Sequence, residues 1–344
     1  MILIRGRFQN HIYNSNYTKP FEKGGLAGQV DIPRITKGQY GGAFWSALMP
    51  CPRNGSDFSN EAYAPIVRAT LEQLDLYHRL FIQYPKFFSP TINHASALQA
   101  LKDGRLIAPA AIEGLHQIGN SLSTLRLYHQ LGVRYATLTW NCHNIYADAA
   151  ITSNSDGQSS ASTPYWHGIS PAGETLIKEM NRLGMIVDLS HVSKNTMVDV
   201  LNGTPSKNGS LAPPIFSHSS VYSICPHPRN VPDDVLHLVK KQNSLNNTLA
   251  QVVKHIVYVG ELIGYDHVGI GTDYDGIESI PRGLEDVSKF PDLVAELLRQ
   301  GVRERDIAKF VGRNLLRVWK DVDAVAAKLG VEMLPVEDDI PAWG

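Results

Sequence analysis

Short apolar runs alternate along this chain with amphipathic stretches at helical spacing. That alternation restricts the fold to an α/β architecture with a parallel sheet, either wound open or closed as a barrel. The strand-like runs are residues 43–49, 106–112, 135–139, 185–189, 214–217 and 267–272. Each is short and apolar, as a strand covered on both faces must be. Between them, residues 66–84 set Val67, Leu71, Leu74 and Leu80 on or near one helical face, and residues 174–183 run into Gly184, a natural helix stop. Val252, Ile256 and Val259 repeat at helical spacing, as do Ile307, Phe310, Val311, Leu315 and Val318. Residues 152–163 are rich in serine and read as one exposed loop. No low-complexity linker divides the chain, and its 344 residues suit one barrel, so residues 1–344 are expected to form a single domain.

The composition excludes several functions. A formal net charge of −1 gives no reason to expect nucleic acid or an anionic membrane surface as partner. No apolar run reaches the roughly 18 residues of a membrane span, and residues 1–10 lack a charged segment followed by an apolar one, so neither anchor nor signal peptide is expected. Glycosylation acceptor patterns at Asn16, Asn54, Asn202, Asn208 and Asn246 point weakly the other way, toward secretion. The location stays open. The three cysteines are Cys51, Cys142 and Cys225, and an odd count fits either a reduced chain or an oxidised one that lacks a partner.

Polar residues gather where the apolar runs end. Glu113 follows Ala110-Ala111-Ile112, His191 follows residues 186–190, His218 follows residues 214–217, and Asp273 follows residues 268–272. In a parallel α/β fold the C-terminal strand ends share one face, and active sites lie there. One histidine after one strand is usually structural, and Asp273 alone could cap a helix. Two histidines and two carboxylates at four strand ends are instead a donor set for a hydrolytic metal. A nucleotide-binding open sheet is the rival, but no Gly-x-Gly-x-x-Gly follows an early strand and no Gly-Lys-Ser/Thr loop occurs.

Longer motifs narrow the choice. Ser217-His218-Ser219-Ser220 leading on to Arg229-Asn230-Val231-Pro232-Asp233-Asp234 resembles the signature of the membrane (renal-type) dipeptidases. So do Asp188-Leu189-Ser190-His191-Val192-Ser193, Gly271-Thr272-Asp273-Tyr274-Asp275-Gly276 and Gly283-Leu284-Glu285-Asp286-Val287-Ser288. Gly41-Gly42-Ala43-Phe44-Trp45-Ser46 and Glu113-Gly114 match in the same order, and fungal members are the most similar. The resemblance implies a (β/α)8 barrel with two zinc ions and a dipeptide substrate. Glu113 would bridge both ions, while His191 and His218 would complete the second zinc. Asp273 would carry the proton from the attacking water to the leaving amine, and Arg229 would grip the free carboxylate of the dipeptide. Relatives are often dimers, so a homodimer is expected on the same ground. The resemblance also pairs Cys51 with Cys142.

The chain departs from that family in three places. The family's His-x-Asp, which ends its first strand and holds the first zinc, stands just before the segment matching Ile2-Leu3-Ile4-Arg5 and is not in this chain. The apolar run expected for a seventh strand is also missing, because Lys241-Gln242-Asn243-Ser244 leads almost directly to Asn246-Asn247-Thr248-Leu249. Cys225 matches a cysteine whose partner lies in that segment. A transcript carrying both segments is therefore expected. Finally, Trp140 stands where the family often has a substrate-contacting histidine. These departures keep two other readings open: a non-catalytic relative, and a metal-dependent amidohydrolase acting on cyclic amides.

Overall fold

The computed structural model describes residues 2–153, 158–202, 209–239, 249–277 and 280–338. Four parallel strands lie side by side in chain order: β1 (Trp45–Ala47), β2 (Ala110–Glu113), β3 (Val133–Thr137) and β4 (Ile186–Asp188). The crossovers carry helices, as parallel pairing requires. They are α1 (Asn60–Gln83), α2 (Leu122–Gln130) and α3 (Pro171–Leu183). Helix α1 starts well before the periodic stretch because the Ser59 side chain accepts from Ala62 N at 3.2 Å. Helix α3 starts at Pro171, with Ser170 accepting from Gly173 N at 3.0 Å, and ends at Gly184 in a left-handed conformation (φ 75°).

Strand alternation divides the sheet between two apolar clusters. Ala110, Ile112, Ala136 and Val187 face a large core shared with Leu125, Leu176, Ile177 and Met180 of the crossover helices. Ala111, Tyr135 and Ile186 face the other way and pack with Trp319 and Phe44. The period of two then puts Glu113, Thr137 and Asp188 on this second face. Their register is direct, Glu113 opposite Thr137 and Thr137 opposite Asp188. One polar side chain from each of three adjacent strands thus lines the C-terminal edge.

The expected strands survive unequally. The run 106–112 splits at Pro109, which has no N–H to give to a ladder. Leu106–Ile107 pairs with Phe88–Ser89, while Ala110–Glu113 joins the main sheet. The run 214–217 is reduced to a bridge between Asp188 and Ile215, with Ile215 N donating to Val187 O at 2.9 Å and Leu189 N to Ile215 O at 2.8 Å. The run 267–272 forms no ladder and follows a 3-10 turn, Tyr265–His267. It still runs close against the segment 214–217, because a Cβ at Gly271 would overlap the Ser217 carbonyl. The serine-rich stretch is not wholly a loop: Ile151–Ser153 pairs antiparallel with Ser159–Ala161. The expected gap at the seventh strand falls mostly on residues 240–248, outside the described residues.

The C-terminal part adds α4 (Leu249–Ile263) and α5 (Asn314–Glu332). The predicted helix through 307–318 is broken at Gly312, whose φ of 152° is open to glycine alone. Helix α5 packs against α3 and sets Trp319, 1% exposed, beneath the sheet. The result is an α/β parallel sheet curved as a partial barrel that does not close. Among the described residues, no helix is long and apolar enough to cross a membrane.

Candidate metal centre

Glu113, His191 and His218 meet at the C-terminal edge of the sheet. Glu113 Oε1 lies 2.8 Å from His191 Nε2 and 3.1 Å from His218 Nε2, and the two imidazole nitrogens are 3.0 Å apart. Glu113 and His191 are buried, and His218 is nearly so. Backbone geometry brings them there. Glu113 is the last residue of β2, and His191 follows β4 by three residues with φ at 66°. His218 follows the strand-like segment bridged to Asp188.

Second partners fix which nitrogens face inward. The Asp188 carboxylate can only accept, so Thr137 Oγ1 and Ser217 Oγ, each at 2.6 Å, donate to it. Ser217 Oγ, its proton committed, then accepts from His218 Nδ1 at 2.7 Å. That leaves the His218 Nε2 lone pair pointing at Glu113. His191 is held in the same way, Nδ1 against Asn141 Oδ1 at 3.0 Å. Two imidazole nitrogens and a carboxylate oxygen therefore converge, with the Arg229 guanidinium 2.7 Å from the His191 one, and electron-pair donors so grouped favour a cation. Tetrahedral zinc ligands at ~2.0–2.1 Å would stand roughly 3.3 Å apart, close to the observed spacings. The donor set fits a divalent metal.

The electrostatics are those of three mutually dependent groups. Burial would raise the Glu113 carboxyl, but the His191 and His218 imidazoles beside it hold it well below the usual range. Burial foremost drives His191 down to about 4. His218 moves the other way: burial lowers it, and the hydrogen bond and charge of Glu113 more than restore it.

Arg229 and Asp273 border this cluster. Arg229 Nη2 lies 2.7 Å from His191 Nε2, and Arg229 Nε is buried without a partner among the described residues. Asp273 has φ at 51°, and burial together with the Glu113 charge pushes its carboxyl up to about 6. All five residues singled out in the sequence are therefore brought to one region. Trp140 stands beside them, its ring centroid 6.4 Å from that of His191. Sequence reasoning missed Asn141, Ser217 and Asp188 as orienting groups. Asp188 carried a signal, a carboxylate inside an otherwise apolar run, which demands buried partners. Asn141 carried none. Cys51 and Cys142 form a disulfide, and Cys225 is free and exposed.

A donor cluster of this kind at the C-terminal edge of a parallel sheet defines a candidate metal centre in an α/β partial barrel. The chain belongs to the membrane dipeptidase family (peptidase family M19), whose model matches residues 4–332. It is 45% identical to the dipeptidase aclJ of Aspergillus oryzae over 98% of this chain and 80% of that one. It is 40% identical to the dipeptidase tcpJ of Claviceps purpurea, over 92% and 74% respectively. Among solved structures, the fold is shared with a metallopeptidase described as dipeptidase AC, with TM-score 0.77, 24% identity, and 93% and 95% of the two chains covered. It is also shared with a Rhodobacter sphaeroides metallopeptidase bound to a phosphinate mimic of L-Ala-D-Ala, with TM-score 0.73, 22% identity, and 93% and 95% covered.

Proposed function

We propose that this chain hydrolyses dipeptides with a zinc ion held by Glu113, His191 and His218. The observation that carries the reading is the convergence of two imidazole lone pairs and one carboxylate oxygen, oriented by Asp188 through Ser217 and by Asn141. When bound, a divalent cation lowers the pKa of a water toward ~7 and polarises the scissile carbonyl. Asp273 handles the proton. Its carboxyl, near 6, is ionised at neutral pH yet basic enough to accept a proton from the attacking water and return it to the leaving amine. Arg229 binds the free carboxylate of the substrate, for which its unpartnered Nε and forked guanidinium are suited. The resemblance leads one to expect two ions. Among the described residues Glu113, His191 and His218 form the ligand set for one of them.

The test is hydrolysis of alanyl-glycine by the purified chain, with zinc per chain measured alongside. Turnover should require zinc. Glu113→Gln should lose the metal, whereas Asp273→Asn should keep it and slow turnover by about 100-fold or more. A dipeptide amide and a cyclic amide should be poor substrates because Arg229 has no carboxylate to hold. Zinc-independent turnover, or Asp273→Asn at full rate, would overturn the reading, as would no turnover from a zinc-loaded chain.

A further inference from the structure

A second group of sulfur and imidazole side chains lies outside the candidate metal centre. The sulfurs of Cys51 and Cys142 and one imidazole nitrogen of His116 all lie within 4.8 Å of one another. His116 is fully buried and Cys142 is 1% exposed. The His116 ring contacts the Met49 carbonyl through Nε2 at 2.8 Å, and a carbonyl only accepts, so Nε2 carries the proton. Nδ1 therefore offers a lone pair, and it is buried with no hydrogen-bond partner among the described residues. A histidine that donates one N–H to a backbone carbonyl and leaves its other nitrogen bare is oriented as metal-ligating histidines are. The placement is built into the chain. Gly114, at φ 103°, turns the backbone after Glu113, and a Cβ there would stand 2.5 Å from the His116 ring.

We propose that Cys51, Cys142 and His116 form a redox-gated metal site, closed while the disulfide stands and open to a thiophilic divalent ion such as zinc once it is reduced. Reduction takes two electrons. A dithiol reductant gives up two hydrogens to the Cys51–Cys142 bond, becomes a disulfide itself, and leaves two thiols. The incoming ion displaces the two thiol protons, and two thiolates and His116 Nδ1 become its ligands. At ~2.3 Å Zn–S bonds the sulfurs stand roughly 3.7 Å apart, against ~2.05 Å in a disulfide, so each shifts by about an ångström. The fourth position is left to water. The site has a route to the catalytic cluster, because Cys142 directly follows Asn141, whose side chain holds His191.

Cadmium reports the site without reference to activity, because thiolate ligation gives a charge-transfer band in the near ultraviolet that nitrogen and oxygen ligands do not. The full chain carrying Cys225→Ser would be reduced with a phosphine, which takes up oxygen from water as the disulfide becomes two thiols, then desalted and titrated with Cd2+. One equivalent beyond the uptake of the oxidised protein should give the band, and the oxidised protein should give none. His116→Gln should weaken the affinity by at least about 10-fold, in line with loss of a metal-orienting group or ligand. Cadmium should also raise the melting temperature of the reduced protein beyond any rise in the oxidised one, a comparison that needs no variant at the site. No band in the reduced protein, or a band of equal affinity in His116→Gln, would overturn the proposal. So would equal stabilisation of both redox forms.

Discussion

The two walls of the catalytic cluster are built differently. On one wall Glu113, Thr137 and Asp188 sit in register across three hydrogen-bonded strands, and His191 and His218 are fastened to that frame through Asn141, Ser217 and Ser190. On the other wall Arg229 and Asp273 stand on segments that, among the described residues, form at most an isolated bridge, Val221 with Val231. The Asp273 turn, with Asp275 at φ 68°, is tied mainly to the N-terminal part of the chain: Gln29 N donates to Asp275 Oδ1 at 2.5 Å and Asp275 N to Gln29 Oε1 at 2.5 Å. Tyr274 adds a bond from its hydroxyl to Leu284 O at 2.7 Å. The metal-holding geometry is thus set by backbone pairing and buried acceptors, and the proton-handling geometry by a few side chains joining distant segments. The first should resist local damage until its hub is removed. The second should be adjustable without disturbing the metal.

The hub is Asp188, so its removal should have the largest effect. Asp188→Ala strips the acceptor from the buried Thr137 Oγ1 and Ser190 N and from the half-buried Ser217 Oγ and Ser217 N. With each stranded donor costing ~1–3 kcal/mol and some finding water, a loss of about 3 kcal/mol is expected in urea unfolding. Because Asp188 also fixes the His218 tautomer, zinc affinity should fall by about 10–100-fold. A variant that unfolds more easily but binds zinc as before would break the claim that one frame serves both tasks.

A smaller and more selective effect is expected on the other wall. Gln29→Ala removes the side chain that accepts from Asp275 N but leaves the Gln29 N–H bond in place. The Asp273 turn should loosen, lowering kcat by about 10-fold, or ~1.4 kcal/mol of activation free energy, with zinc per chain unchanged. Elemental analysis beside steady-state kinetics decides it. Loss of zinc together with turnover would mean that the two walls are not separable.

The same division governs what the sequence revealed. Periodicity located β2, β3 and β4 because strands buried on both faces leave continuous apolar runs, and polar residues at the ends of those runs pointed to Glu113 and His191. It also marked 267–272, which has the composition of a strand but forms no ladder. Pairing depends on a neighbour far along the chain, which periodicity does not register. The link from Gln29 to Asp275 was illegible for the same reason: 246 positions separate them, and neither lies in an apolar pattern. Asn141 was hidden because an amide after a strand has many uses, and nothing local names His191 as its partner. The cysteine pairing came from family resemblance and is present as a disulfide, whereas the role of His116 beside it appears only once the chain is folded.

Acid offers the finest separation of the walls, because their buried carboxyls are shifted in opposite directions. Asp148 belongs to the strand-built side, its backbone oxygen accepting from Ser193 N at 2.8 Å just past His191. Burial would raise its carboxyl, but hydrogen bonds from His143 and from the Trp166, Tyr165 and Gly168 N–H groups outweigh that and hold it low. The unfolded chain therefore binds this proton more readily. The stabilisation is fully present above the unfolded value of ~3.9 and is lost as pH falls through the folded one. On the other wall Asp275 is raised, burial foremost. There the folded state binds the proton more readily, so stability rises as pH falls through the raised value. Urea midpoints between pH 7 and pH 3 should show this as a change of slope in each variant. Asp148→Asn should flatten the loss below about pH 4, and Asp275→Asn should remove a gain that the unmodified protein makes on first acidification. If both variants changed the slope in the same direction, the two walls would share one electrostatic environment, and the separation drawn from their construction would fail.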